Sequence, residues 1–281
     1  MNNTEPSAVA AGPKKLFLVG CPRSGTTWLQ IVLGSHPKVS TVRETHLFDH
    51  YVNELYQRFQ AEEYAFSKDG LRNVLDLDGL DALCRGFSQG VLDRIAALKP
   101  EATIILEKTA SHIWSTRVMR RLHPDAWFLH VVRDPRAVVA SILAYSNQSW
   151  AGGEKPDVPM AAKLWRNAVT IGHVELAQLG PRRIELRYED MTDDPEGTLR
   201  RLLAALDLEP IAYDAAQFSI DALRQGNGDA PTRDPRWENR ENFFRRGTVD
   251  GWRQDLSPQD VAIIEAICGD LMAELGYTPE A

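Results

Sequence analysis

A run near the N-terminus, Gly20-Cys21-Pro22-Arg23-Ser24-Gly25-Thr26-Thr27, has the residue types of an anion cradle. It follows the apolar stretch Leu16 to Val19 and precedes good core-helix material from Thr26 to Leu33. A loop between a strand and a helix presents consecutive backbone N–H groups and the positive end of the helix, which together suit a phosphate-like anion. Its two glycines keep the spacing of a triphosphate-binding loop, but the position after Gly25 is Thr26 where that loop requires lysine. A triphosphate is neutralised by that amine together with a metal on an acidic partner. Here the cation is Arg23, inside the loop, and the apolar run ending at Val131-Val132 leads into Arg133 rather than an aspartate. The loop therefore fits a lighter anion, held by arginine, lysine, hydroxyl and backbone donors with no metal.

The elements that must position this loop recur along the chain. Leu16 to Val19 closed by Gly20 suits a buried strand of a parallel sheet, and Gly34-Ser35-His36-Pro37 ends the helix that follows. The same strand-then-helix grammar returns at Thr103 to Leu106 with Ser111 to Leu122, and at Trp127 to Val132 with Arg136 to Tyr145. It appears once more at Arg183 to Leu186 with Asp194 to Leu206, whose Asp-Pro start marks a capped helix. Helical tracts at Leu47 to Phe66, Leu80 to Leu98, Met160 to Leu179 and Gln259 to Leu275 would cover the sheet. These patterns predict an α/β fold: one domain with a central parallel sheet flanked by helices and a strand–phosphate loop–helix site. The expected boundaries are a flexible tail over residues 1–14 and the domain over 15–281. Gly226 to Arg246, rich in Gly, Asp, Pro, Asn and Arg, reads as a long functional loop or lid. Glu154 to Pro159 and Asp229 to Glu241 are expected to be mobile, closing on a ligand to exclude water.

Pro22 to Trp28 resembles the donor loop of the sulfotransferases that use 3′-phosphoadenosine 5′-phosphosulfate (PAPS), Pro-(Arg/Lys)-Ser-Gly-Thr-Thr-(Trp/Leu). The resemblance implies that Ser24, Gly25, Thr26 and Thr27 bind the 5′-phosphosulfate, that Arg23 helps carry the transferred group, and that Trp28 packs on adenine. Arg133 through Ser141 resembles the family's arginine at a strand end with a serine eight positions on, both holding the 3′-phosphate. Arg245-Arg246-Gly247 with Trp252 shortly after resembles the lid over the nucleotide, Gly247 allowing close backbone approach and the two guanidiniums supplying paired donors. Arg187-Tyr188-Glu189-Asp190 resembles the Tyr-Glu-Asp signature, with Tyr188 a contact on the adenosine side. The four elements occur in family order from Lys15 to Tyr277, and the segments between them, which would cover the acceptor, align poorly.

Sulfuryl transfer to an alcohol needs a base for the acceptor proton and cations for the departing phosphate. Glu44 lies in a stretch, Pro37 to Phe48, that resembles the His-Pro…Glu-Thr pattern of the carbohydrate and tyrosylprotein branches, where the glutamate is the base. His112 follows Glu107-Lys108-Thr109, which resembles the family's Glu-Lys-Thr box. The small-molecule branch places its catalytic histidine directly after Lys-Thr; here that position is Ala110, so His112 is the second choice. Lys108, just past a strand end, is expected at the bridging or sulfuryl oxygens. Trp150, Trp165 and Trp237 could line an acceptor pocket, but buried tryptophans in helices are more often core, and none is assigned to the site.

The bulk composition is compatible with this. At 281 residues and 43% hydrophobic the chain can fill a sizeable core, and 32 basic against 39 acidic residues leave a net charge of -7, which disfavours nucleic acid as a partner. Three scattered cysteines, Cys21, Cys84 and Cys268, form neither a disulfide framework nor a zinc site. The start lacks a signal-peptide pattern and no stretch reaches bilayer length, so a cytoplasmic place is expected. The expected partner is a small-molecule, glycan or carrier-bound acceptor with a hydroxyl or amine. A kinase-like triphosphate enzyme and a non-catalytic adenine-nucleotide-binding protein are the competing readings. A dinucleotide-binding dehydrogenase is disfavoured because the first loop lacks the Gly-x-Gly-x-x-Gly spacing.

Overall fold

The computed structural model describes residues 12–64, 66, 69–148, 155–214, 218 and 248–280. Five strands, β1 (Lys14–Gly20), β2 (Val39–Thr41), β3 (Ile104–Lys108), β4 (Trp127–Val132) and β5 (Arg183–Arg187), form one parallel sheet in the order β2-β3-β1-β4-β5. β1, β3 and β4 are the inner strands, and their near-continuous apolar sequences follow from burial on both faces.

Alternation along each strand divides the core in two. Leu16, Leu18, Leu129 and Val131 face helices α1 (Thr26–Gly34), α7 (Tyr188–Asp193) and α8 (Pro195–Ala205). Phe17, Val19, Phe128 and Val132 face the opposite layer. That layer holds α2 (Asn53–Ala61), α3 (Leu77–Ala97), α4 (Thr116–Leu122), α5 (Pro135–Ser146), α6 (Val158–Leu176) and α9 (Pro258–Glu274). Trp165, in α6, is fully buried there, so it belongs to the core.

From β1 the chain crosses to the edge strand β2, whereas from β4 it leaves in the opposite direction to β5. Such a reversal opens a crevice beyond the carboxyl ends of neighbouring strands. The loop after β1 lies at that position.

The strand and helix expectations hold with shifts of a few residues at their ends, except that the tract from Leu47 closes at Ala61 rather than Phe66 and that α7 precedes the helix expected from Asp194. β2 was not anticipated: three residues are too few to display a period. The helix expected from Ser111 splits into a 3-10 segment (Ala110–Ser115) and α4, and the tract from Leu47 opens with a π-helical turn (Leu47–Val52) before α2. Of the stretch Glu154 to Pro159, Val158 and Pro159 begin α6, capped by Asp157. Trp150, Trp237 and the expected lid from Gly226 to Arg246, including Arg245, Arg246 and Gly247, lie outside the described residues.

Candidate active site

The loop after β1 is shaped by two left-handed residues, Arg23 at φ 75° and Gly25 at φ 96°. The backbone N–H and the hydroxyl of Ser24 both donate to the Cys21 carbonyl, at 3.1 and 2.7 Å, and close the turn. A Cβ on Gly25 would stand 2.4 Å from Cδ2 of Tyr188, so the backbone passes directly against that ring. Side-chain oxygens cap α3, α5, α6, α8 and α9, whereas α1, like α2, α4 and α7, begins with no side-chain cap, and α1 has no acidic residue in its first turn. The N–H groups of a helix start need acceptors from outside the helix, and an anion supplies them.

Arg23 and Arg133 link the loop to its surroundings. Nε of Arg23 donates to Oγ of Ser141 at 3.1 Å, and its guanidinium lies 5.1 Å from the Tyr145 ring centroid. Arg133, just past β4, donates to the carbonyls of Arg23 and Thr248, each at 3.3 Å, and stacks 4.1 Å over Tyr188. Its Nε is buried without a hydrogen-bond partner among the described residues, a cation with donor capacity to spare. Arg23, Arg133, Ser141 and Tyr188 are thus brought together, with Arg23 bridging the two residues expected at a 3′-phosphate. Trp28 is buried, donates from Nε1 to the Phe218 carbonyl at 2.9 Å, and sits edge-on to Tyr188 at 5.9 Å.

Lys108 closes the other side of the loop. β3 lies beside β1 with Leu18 opposite Lys108, which brings Nζ 3.0 Å from Oγ1 of Thr27 and 2.8 Å from Oε1 of Glu44. Lys108 is nearly buried, and Glu44 is partly exposed. Burial pushes the Glu44 carboxyl up, but the charge and hydrogen bond of Lys108, helped by His46 and the Ala110 backbone, bring it below the usual range. Glu44 is therefore ionised at neutral pH and able to accept a proton.

His112 is placed differently. It has no exposed surface; Nδ1 lies 2.9 Å from Oε2 of Glu107, while Nε2 is 3.0 Å from the Phe48 N–H and 3.4 Å from Oδ1 of Asp49. Burial would lower its pKa, yet the two flanking carboxylates raise it to about 9. The Phe48 N–H asks for a neutral ring and the carboxylates for a charged one; two anions outweigh one amide dipole. Glu107 also accepts from the hydroxyls of Thr45 and Thr109, both at 2.8 Å. His112 thereby braces the backbone that carries Glu44.

Sequence reasoning passed over His46, Asp49 and His50, whose i, i+3, i+4 spacing was the available signal. His46 has φ 51°, and its ring stacks on His50 at 4.3 Å with planes 8° apart. These three residues bring metal-capable atoms within 4.8 Å of one another, but the Asp49 oxygens are already engaged by Ser111, His46 and His112. A second such group, His130, His173 and Glu185, carries Arg183 on the same carboxylate at 2.7 Å.

Comparison with known proteins adds the family. The model of the sulfotransferase family matches residues 13–212. Among curated relatives, protein-tyrosine sulfotransferase 1 of Danio rerio is 23% identical over 270 residues, covering 95% of this chain and 73% of that protein. The Drosophila melanogaster protein-tyrosine sulfotransferase is 25% identical over 275 residues, and this chain spans only 52% of its length. Among solved structures, the sulfotransferase domain from the curacin biosynthetic pathway superposes with a TM-score of 0.59 at 20% identity, covering 95% of this chain and 99% of that one. A mouse sulfotransferase complexed with PAP gives 0.55 at 16% identity, covering 93% and 86%. No helix among the described residues is long and apolar enough to cross a membrane.

Proposed function

The chain belongs to the sulfotransferase family, and we propose that it takes its sulfuryl group from PAPS and delivers it to an acceptor hydroxyl, or an amine, with Glu44 as base. The observation that carries this reading is the cluster at the mouth of the sheet. Arg23, Ser141 and Arg133 meet at the loop after β1, and Lys108 joins Thr27 of that loop to Glu44. The spare donor of Arg133 and the uncapped start of α1 are the features a 5′-phosphosulfate with a 3′-phosphate requires. A mouse relative in fold was crystallised with PAP, the desulfated donor.

PAPS supplies a sulfur that forms a bond to the acceptor oxygen while its bond to the 5′-phosphate oxygen breaks, the electron pair leaving with the phosphate. The protein's part is electrostatic and acid–base. Arg23, Lys108 and the N–H groups at the start of α1 stabilise charge on the departing oxygen. Glu44 accepts the acceptor's proton. Resting Lys108 is paired with Glu44, so anionic donor oxygens that draw Nζ away also free the carboxylate to act as a stronger base. His112, enclosed between Glu107 and Asp49, positions the Glu44 segment and does not touch the reacting atoms.

Tyrosine-containing peptides lead the acceptor panel, because curated relatives matched over 95% of this chain bear the protein-tyrosine sulfotransferase name. The test is mass spectrometry after incubation with PAPS and phenolic, sugar and alcohol acceptors, watching for the sulfuryl increment and release of the bisphosphate. Glu44→Gln is expected to lower turnover about a hundredfold or more. Thermal stabilisation by adenosine 3′,5′-bisphosphate in EDTA, without stabilisation by ATP and magnesium, separates this reading from a kinase-like one. No stabilisation by the bisphosphate would end it.

A further inference from the structure

A base that works once per turnover must lose its proton before the next. Glu44 uses Oε1 for Lys108 and also accepts from the Ala110 backbone, and Nε2 of His46 lies 3.7 Å from Oε2. On the far side of that ring, Nδ1 lies 3.1 Å from Oδ2 of Asp49.

Asp49 fixes the tautomer. Its carboxyl is pushed up by burial but held far below the usual range by hydrogen bonds from His112, Ser111 and His46, so it is an anion and only an acceptor. In the neutral ring the His46 proton therefore resides on Nδ1, and Nε2 carries the lone pair beside Glu44. The ring is held there by stacking on His50 and by a left-handed backbone that a residue with a Cβ adopts at a cost. Its backbone N–H donates to Oγ1 of Thr109 at 3.3 Å, tying it to the residue after Lys108. The ring, like the Glu44 carboxylate and unlike Lys108 or His112, is partly exposed, so it reaches solvent.

We propose that His46 is the proton outlet of the active site: it takes from Glu44 the proton that Glu44 took from the acceptor, and passes it to water. The inference rests on Glu44 being the base. The proton moves from Glu44 Oε2 to His46 Nε2, leaving a carboxylate and an imidazolium whose charge Asp49 offsets, and the imidazolium then returns to neutral by losing that proton to solvent. The 3.7 Å gap closes with an approach of about 1 Å or through one bridging water. The charged and titratable groups facing His46 are Glu44 and Asp49 with His50 stacked on the ring, then Lys108 behind Glu44 and His112 behind Asp49.

The assignment makes the rate sensitive to acid. A protonated His46 can accept nothing and holds Glu44 in an ion pair, so kcat/KM of the wild type falls on acidification. His46→Gly, which relieves the left-handed backbone and opens a space the size of the ring, is expected to lower kcat about tenfold or more. It should also move the acid limb down to the range where Glu44 itself takes up a proton, leave bisphosphate affinity unchanged, and be rescued by added imidazole in proportion to its free base. His50→Gln should keep the limb in place. A limb unmoved in His46→Gly, or moved in His50→Gln instead, overturns the assignment.

Glu44→Gln separates the two levels. If it keeps full activity, the base reading falls and the outlet with it; if it is inactive while His46→Gly keeps both rate and limb, only the outlet falls. Independently of any acceptor, ring nitrogen NMR shifts of neutral His46 should place the proton on Nδ1 in the wild type and lose that preference on Asp49→Asn. A neutral ring that carries its proton on Nε2 in the wild type would equally overturn the proposal.

Discussion

Gly25→Ala tests whether the loop's backbone, and not merely its arginine, makes the anion site. The residue sits at φ 96°, where a Cβ costs about 1–2 kcal/mol. The new methyl would also lie 2.4 Å from Cδ2 and 2.7 Å from Cε2 of Tyr188. That ring is 5% exposed and pinned between Arg133, 4.1 Å over one face, and the edge of Trp28. It cannot rotate away freely, so overpacking adds about 1–3 kcal/mol. The combined loss, roughly 2–5 kcal/mol, corresponds for a chain of this size to a fall in Tm on the order of 3–9 °C. Arg133 must follow Tyr188 or lose its stacking, so affinity for adenosine 3′,5′-bisphosphate should fall at least about tenfold beyond the stability effect. Thermal unfolding with and without the bisphosphate, alongside calorimetric titration at a temperature where both proteins are folded, measures the two effects separately. A variant that melts within about 2 °C of the wild type and binds equally tightly would refute the idea that the loop, Tyr188 and Arg133 are one packed unit.

Two further outcomes concern the groups that hold the site in place. Because His112 is raised to about 9, its contribution is complete below the unfolded value of about 6.5 and is lost as pH rises through 9, whereas Glu107 and Asp49, both depressed, contribute above about pH 4 and lose their share on acidification. Urea unfolding should therefore show greatest stability between about pH 4.5 and 6.5, with roughly 3 kcal/mol lost towards pH 10 that His112→Asn does not lose; parallel profiles would refute the charged pairing. Arg136 is 4% exposed, binds Asp134 and Glu265, and lies 4.3 Å over Trp252. Arg136→Met should cost about 3–5 kcal/mol and alter Trp252 fluorescence, and a loss below about 1 kcal/mol would show that the buried charges re-pair.

What the sequence revealed and what it concealed divides by distance along the chain. β1 and β4 were legible because an inner parallel strand is written as an apolar run, and α8 because Asp followed by Pro marks a capped start, a signal that Asp134-Pro135 of α5 and Ser257-Pro258 of α9 carry as well. Arg23, Arg133 and Tyr188 were legible for a related reason: Arg133 and Tyr188 follow directly on strands, Arg23 stands three residues past one, and carboxyl ends of parallel strands share one rim. Arg136 looked like an ordinary first-turn residue, because Glu265, its second partner, lies 129 positions away. The chain from Ser111 through Asp49 to His46 was hidden likewise; it joins a π-helical turn to a 3-10 segment 62 residues later.

Lys108 shows why strand order is the missing link. Its position at the end of a strand could be read, but not which strand would lie beside it. β3 pairs with β1 along five residues, and the pair Leu18–Lys108 ends that register beside the loop. One strand spacing, about 4.8 Å, is within reach of a lysine side chain, so Nζ arrives at Thr27 and Glu44 together. Had β3 taken the outer place that β2 occupies, the same Lys108 would stand two spacings, about 10 Å, from the loop. Glu44 would then keep its carboxylate without the buried cation that now fixes its place and its charge. The chemistry of the site therefore depends on a pairing choice made by Leu16, Leu18, Ile104 and Leu106, residues that react with nothing.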